Sequence, residues 1–244
     1  MNKNLRKCLN FFSDILFPGS CPVCEGETFK DGLSYMCKEC EESLAWINKE
    51  GCKYCGIPMS GYDFNGLTCA SCRLQTPNFL SGKSLFLLDQ KGKRVIHKIK
   101  YSGVKDVLKD ISSWLNRSPS FKSFLQNSIL IPVPLHKKRL AKRGFNQSSW
   151  IAQALSKGLG DNVGVVEALE RIRDTPTQTN LDRRQRIKNV KNAFALIKKN
   201  SLCYDQKIVL IDDVYTTGAT LNECANALKS EGFVNVNVAT LGHG

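Results

Sequence analysis

Residues 208–223 carry the side chains whose types and spacing best suit chemistry. Ile208-Val-Leu-Ile211 is an apolar run, Asp212 and Asp213 follow it directly, and Thr216-Thr-Gly-Ala-Thr220 begins two residues later. An apolar run of this kind reads as a buried strand, and ligands bind beyond the carboxyl ends of strands in open α/β sheets. Two carboxylates placed there can accept hydrogen bonds from neighbouring hydroxyls, such as the 2′ and 3′ positions of a ribose. The threonine–glycine turn offers backbone N–H groups, three hydroxyls and tight curvature at the start of a helix, which makes a cradle for phosphate. Thr220 and Glu223 have capping-box spacing and are expected to set that helix start. A threonine–glycine turn alone would be an ordinary polar turn. The ordered string of strand, two acids, two residues and Thr-Thr-Gly-x-Thr points to a phosphorylated ribose.

A second chemical signal lies upstream. Of eleven cysteines, eight form the Cys-x-x-Cys pairs Cys21/Cys24, Cys37/Cys40, Cys52/Cys55 and Cys69/Cys72, with gaps of 12, 11 and 13 residues between pairs. Each pair turns two sulfurs toward one point, and two pairs complete a tetrathiolate, which suits zinc. Redox dithiols and an iron–sulfur cluster are the rival readings. Saturated sites of this type are structural, because no coordination position stays open. Two zinc ions are expected, with the first two pairs in one site and the last two in the other; crossed pairing is the alternative. Cys8, Cys203 and Cys224 fall outside the pattern and read as small core residues.

These groups need elements to position them. Residues 20–78 are rich in Cys, Gly, Pro and Ser and poor in aliphatic side chains, so metal rather than burial must staple them. From about residue 81 apolar runs alternate with helical patterns. Strands are expected at 85–88, 128–134, 163–166, 193–197 and 208–211. Helices are expected through Val95–Lys100, Val104–Leu115, Trp150–Leu155 (capped by Asn146) and Leu221–Lys229. Val234, Val236 and Val238 alternate with asparagines and predict a last strand with one buried and one polar face. The fold class is therefore α/β, with a mostly parallel sheet over 81–244 behind a zinc-binding module over 20–78. Residues 1–19 carry apolar positions at helical spacing and read as a short amphipathic helix packed on the rest or docked to a membrane surface or partner. No apolar run approaches a membrane span and no secretory signal is visible, so a soluble, cytoplasmic protein is expected. The formal charge of +13 predicts an acidic partner, and two zinc ions on eight thiolates would lower it only to about +9.

The 208–220 string resembles the phosphoribosyl diphosphate (PRPP) binding motif of type I phosphoribosyltransferases. Two further segments resemble parts of that fold. Leu135-His-Lys-Lys-Arg-Leu-Ala-Lys-Arg143 follows the apolar 131–134 run and holds five cations in residues 137–143. By resemblance it is the loop that grips pyrophosphate, through His136, Lys137, Lys138 and Arg139; a solvated basic loop or a nucleic-acid patch is the rival. Residues 171–186 resemble the flexible catalytic loop of amidophosphoribosyltransferases, especially Pro176-Thr-Gln178. No glutaminase domain precedes them, so amination is not expected.

Taken with the four cysteine pairs, Lys98-Ile-Lys-Tyr-Ser-Gly103, Pro132-Val-Pro-Leu-His136 and Lys142-Arg-Gly-Phe-Asn-Gln147, the chain resembles the ComF family (ComFC/GntX-like) from about Cys21 to Leu241. That resemblance implies a type I phosphoribosyltransferase domain behind a double zinc-ribbon-like module. It implies Mg2+ with PRPP or another phosphoribosyl ligand, held by Asp212, Asp213 and Thr216, Thr217, Gly218, Ala219 and Thr220. Asp212, Asp213 and Arg173 would carry any catalysis. The family context is natural transformation: handling of incoming single-stranded DNA in the cytoplasm beside a helicase-like partner. The alternative is an active transferase in nucleotide metabolism with no direct DNA role. Aromatics available for base stacking are Tyr54, Tyr62, Phe64, Tyr101 and Phe145, and the basic stretches are 137–143 and 183–191.

Overall fold

The computed structural model describes residues 21, 23–26, 35–59, 68–101, 105–175 and 182–244. The expected helix over 1–19, Tyr62, Phe64 and Pro176-Thr-Gln178 lie outside them. Two short helices, α1 (Lys38–Glu42) and α2 (Ala70–Leu74), each start directly after a cysteine, Cys37 and Cys69. The rest runs β1 (Gly82–Leu87), α3 (Gln90–Tyr101), a 3-10 segment Lys105–Asp110, α4 (Ile111–Arg117), α5 (Pro119–Leu125), β2 (Ser128–Pro132), α6 (Lys137–Arg143), α7 (Gln147–Leu159) and β3 (Val163–Val165). It continues through β4 (Leu169–Arg171), α8 (Arg183–Val190), β5 (Phe194–Leu196), β6 (Lys207–Tyr215), α9 (Ala219–Lys229) and β7 (Val236–His243).

Strands β1-β7-β6-β2-β3 lie side by side in that order, and every pairing is parallel. Parallel strands covered on both faces read as continuous apolar runs, because neither face meets water. In β6, Val209 and Ile211 enter a core with Phe86, Ile99, Trp114, Ile151 and Leu155, while Ile208 and Leu210 enter the opposite core with Leu221, Leu228 and Phe233. The chain runs from β2 through α7 outward to β3 and returns to place β6 on the other side of β2. That reversal leaves a crevice beyond the carboxyl ends of β2 and β6, where such sheets bind ligands.

Three expectations change. β7 begins at Val236 and all eight of its residues are buried, so it has no polar face. It is an inner strand between β1 and β6, and Asn237 is accommodated by the Ser81 hydroxyl (2.8 Å) and Asn235 Oδ1 (3.1 Å). β5 does not join the sheet; it pairs antiparallel with β4 as a separate ribbon. The basic 137–143 stretch is a helix rather than a loop, capped by His136 Nδ1 accepting from the Lys138 amide (3.4 Å) and ended by Gly144 at φ 81°.

Candidate functional site

The cysteine module repeats one small plan twice. Cys21 and Cys52 each open a knuckle closed by a backbone bond back to their carbonyls, from Glu25 (2.8 Å) and Gly56 (2.9 Å). Cys37 and Cys69 then donate their amides to Cys21 Sγ (3.5 Å) and Cys52 Sγ (3.3 Å). In each set, Cys21/Cys24/Cys37/Cys40 and Cys52/Cys55/Cys69/Cys72, all four sulfurs lie within 4.8 Å of one another, which settles sequential rather than crossed pairing. Cys24–Cys37 and Cys55–Cys69 sulfurs stand 3.8 and 3.7 Å apart, close to the ~3.8 Å edge of a tetrahedron with Zn–S bonds of about 2.3 Å. Burial alone would raise the thiols of Cys21 and Cys52, but nearby backbone amides bring both down to about 7, whereas burial raises those of Cys37, Cys40, Cys55 and Cys72. The two sets fit two structural zinc ions.

The module is fastened to the sheet by charge and backbone. Asp110 accepts the amides of Tyr35 (2.9 Å) and Met36 (2.8 Å), and Arg117 pairs with the buried Glu41 at 3.1 Å. Ile47 and Leu85, and Leu87 and Ala45, share backbone bonds of 2.8 Å.

The crevice beyond β2 and β6 is a cleft of about 360 Å3, lined by Lys100, Tyr101, Arg139, Arg143, Arg171, Arg186, Asp212, Asp213 and the whole of Thr216–Thr220. The twin carboxylates and the threonine–glycine turn therefore share one cavity. Asp212 Oδ1 accepts from Ser148 Oγ in the first turn of α7 (2.9 Å) and from the Asp213 amide (2.9 Å). Asp213 is buried, and the Lys100 ammonium from α3 lies 2.7 Å from its Oδ2, a contact of charge rather than a well-directed hydrogen bond. Gly218, at φ 69°, caps α9, and a side chain there would run into the Tyr215 ring. The capping box expected from Thr220 and Glu223 does not form; Thr217 Oγ1 accepts the Ala219 amide (3.3 Å) and Glu223 accepts the Asn192 amide (2.8 Å).

Asp212 keeps some exposed surface, yet protein surrounds it. Burial first, and the neighbouring Asp213 charge second, push its carboxyl from 3.8 up to about 7, against the pull of Lys100. A carboxyl that binds its proton more tightly when folded stabilises the ligand-free fold fully below about pH 4, and that contribution is lost as pH rises through about 7. The shift corresponds to at most about 4 kcal/mol, less what water in the cleft screens. Asp212→Asn should therefore flatten the fall in stability between pH 4 and 7. Thermal midpoints of both proteins across that range, without ligand, check this.

Cations fill the other wall. In α6, Arg139 and Arg143 are four residues apart and share the face toward the cleft, while the remaining expected grip faces elsewhere. Lys137 pairs with Glu170 (3.0 Å), Lys138 with Asp174 (3.2 Å), and His136 lies 3.5 Å from Asp174. Of His136, Lys137, Lys138 and Arg139, only Arg139 lines the cleft. Arg173 does not line it either; it is exposed and donates to the Lys191 carbonyl. Arg171, two residues earlier at the end of β4, takes the place in the cleft wall. It is buried, its Nε has no hydrogen-bond partner, and Arg139 joins it on the Thr175 hydroxyl and carbonyl. Burial, and then repulsion from Arg139, lower its pKa against the pull of Asp212 and Asp174. Arg186 from α8 reaches Thr216 Oγ1 at 3.2 Å.

Lys100, Arg143, Arg171 and Arg186 were not singled out from the sequence. One signal existed: Lys100 follows Ile99 and lies four residues after Ile96 on the buried face of α3, a lysine where an apolar residue was due. Among the candidate stacking aromatics, Tyr101 lines the cleft mouth, 62% exposed, with the Arg143 guanidinium 5.5 Å from its ring. Phe145 stacks on Trp150 at 3.9 Å instead.

Residues 12–76 match the double zinc ribbon domain. Competence protein F of Haemophilus influenzae is 31% identical over 94% of this chain and 97% of its own length. The DNA utilization protein YhgH of Escherichia coli (strain K12) is 30% identical, covering 91% and 95%. Competence protein ComFC of Bacillus subtilis is 26% identical, covering 81% and 79%.

Proposed function

This chain belongs to the competence protein F family, and from that premise we propose that its cleft binds PRPP or another phosphoribosyl ligand while the protein assists the handling of single-stranded DNA entering the cytoplasm in natural transformation. The relatives' names, competence protein and DNA utilization protein, support the DNA role. The observation that carries the ligand is the meeting of Asp212 and Asp213 with Thr216–Thr220 in a cleft whose other wall holds four arginines.

In this reading the carboxylates take the ribose hydroxyls and the 216–220 turn takes the 5-phosphate on the amides that open α9. The diphosphate lies toward Arg139, Arg143, Arg171 and Arg186, where charge-assisted hydrogen bonds suit it. Oxygen donors at Asp212 and Asp213 fit Mg2+, which would screen the diphosphate charge. In turnover, a lone pair of an acceptor would form the new bond at C1 as the C1–oxygen bond to the diphosphate breaks, and the arginines would stabilise the leaving diphosphate. Turnover of that kind in nucleotide metabolism is the alternative use of the same cleft. Outside it, the exposed cations of α3, Lys93 and Arg94, with the His97 ring and Tyr101 on the same helix, offer a nucleic acid more than the ion-paired Lys137 and Lys138 do. No helix among the described residues is long and apolar enough to cross a membrane. A helicase-like protein is the expected partner.

Calorimetric titration of the full chain with PRPP and Mg2+ tests the ligand: a saturable one-to-one isotherm is expected, and no heat at any concentration would end the reading. Gel shifts with an oligonucleotide test the DNA role. Affinity there should fall steeply with salt, because releasing counterions gains less entropy as the bulk salt rises; binding indifferent to salt, or absent, counts against it.

A further inference from the structure

One wall of the cleft ends at Tyr101, and the surface that continues from it along α3 is basic and aromatic. Lys93, His97 and Tyr101 stand four residues apart and so share one face of that helix, with Arg94 beside them; all four are exposed. Lys93, Arg94, His97 and Lys98 line an open groove of about 580 Å3 against Val23 and Glu25 of the first cysteine knuckle. Glu25, the one acid among the described residues that line it, lies 3.7 Å from Lys98. Lys93 and Arg94 have no counter-charge there. Arg94 Nη1 donates to the Val23 carbonyl at 2.8 Å, so the knuckle that opens the first cysteine set also holds this guanidinium in place.

The groove joins the cleft through neighbouring rings. His97 lines the groove and Tyr101 lines the cleft, and their ring centroids are 4.8 Å apart with planes 39° from parallel. The Arg143 guanidinium, steadied by Gln147 Oε1 at 2.6 Å, lies 5.5 Å from the Tyr101 ring. Tyr101 keeps 62% of its surface exposed despite both neighbours. A pair of rings four residues apart stabilises a helix by itself and needs no ligand. Helix stability does not call for uncompensated cations on the same stripe, nor for a second guanidinium brought to the ring from α6. A positive track that leads to exposed planar groups is what a single strand of nucleic acid uses, the cations for its backbone and the rings for its unpaired bases. A duplex keeps its base faces stacked inside and would engage the cations alone.

We propose that single-stranded DNA lies along the exposed face of α3, its phosphates on Lys93 and Arg94 and its unpaired bases against His97 and Tyr101, so that the strand passes the mouth of the cleft. The proposal rests on the DNA role stated above and gives it a place. Because Tyr101 belongs to both surfaces, a bound strand and a ligand in the cleft are neighbours.

Fluorescence anisotropy of the full, zinc-loaded chain with a labelled oligothymidylate tests this. Tyr101→Ala should weaken the oligonucleotide at least about five-fold, the loss of one stacked base, and should change the binding of a duplex of equal length by less than about two-fold. Lys93→Glu should weaken both and reduce the slope of log affinity against log salt for the single strand by about 0.7, the loss of one phosphate contact. Lys157→Glu, at an exposed position at the other end of α7 from Ser148, changes the net charge equally and should cost less than about two-fold, because salt screens distant charges. An oligonucleotide carrying 5-iodouracil, irradiated with the wild-type chain and digested, should cross-link to His97 or Tyr101, a readout that needs no variant to fold. If the wild type binds but Tyr101→Ala and Lys93→Glu cost no more than Lys157→Glu, or if cross-links fall only elsewhere, this placement falls while the DNA role stands. If the wild type binds no oligonucleotide, both fall.

Discussion

Replacing Asp212 and Asp213 together by asparagine is expected to weaken Mg2+-dependent PRPP binding at least about 100-fold. Hydrogen bonds to charged groups contribute roughly 1.5–3 kcal/mol each, so losing two predicts ~100- to 10,000-fold. At position 212 the substitution is mild for the fold, because an asparagine Oδ1 can still accept from Ser148 Oγ and from the amide of residue 213, as Asp212 Oδ1 does now; at 213 it leaves Lys100 without its carboxylate, so the thermal midpoint of the variant is measured alongside. It also makes the cleft more positive, by removing two carboxylates and freeing Lys100 from its 2.7 Å contact. A site that merely collected anions would bind PRPP more tightly after that change. A large loss measured by calorimetry would thus point to recognition of ribose hydroxyls and Mg2+, whereas unchanged or tighter binding would overturn the phosphoribosyl reading.

Loss of the second zinc should have the largest effect on stability. Cys52→Ser is expected to lower the metal content from two zinc ions per chain to one and to unfold the module locally. The described part of residues 20–78 holds only two five-residue helices, α1 and α2, far too short to persist alone. Apparent zinc-binding free energies of about 10–16 kcal/mol match or exceed the ~5–15 kcal/mol that holds a typical domain together. Elemental analysis counts the metal, and thermal unfolding followed by circular dichroism should show an early transition absent from wild type. Cys203→Ser, at an exposed position outside both sets, is the control and should change neither.

The threonine–glycine turn beside the two acids and the cysteine pairs were legible because their placement is local. Asp212 and Asp213 are fixed by the end of one strand and Thr216–Thr220 by the turn that follows, so sequence adjacency already brings them together. The expected capping box failed for an equally local reason. Gly218 adopts a left-handed conformation and starts α9 itself, and Glu223 is drawn to Asn192 instead.

The amino-acid sequence by itself determined the α/β class behind a metal-stapled module, the strand that delivers two acids, the turn that follows them, and the eight thiols in pairs. Only the tertiary structure decided which cations face the acids. Helical geometry in α6 turns Arg139 and Arg143 inward and sends Lys137 and Lys138 to Glu170 and Asp174, although all are equally basic in the sequence. The β4–β5 ribbon carries Arg171 into the wall and leaves Arg173 in solvent. Lys100 reaches Asp213 across 113 positions of chain because α3 packs Val95, Ile96 and Ile99 into the core beside β6 and ends at the cleft. Local pattern encodes how a segment folds and which face it buries; which distant charges meet depends on how buried faces stack, and a single sequence does not display that.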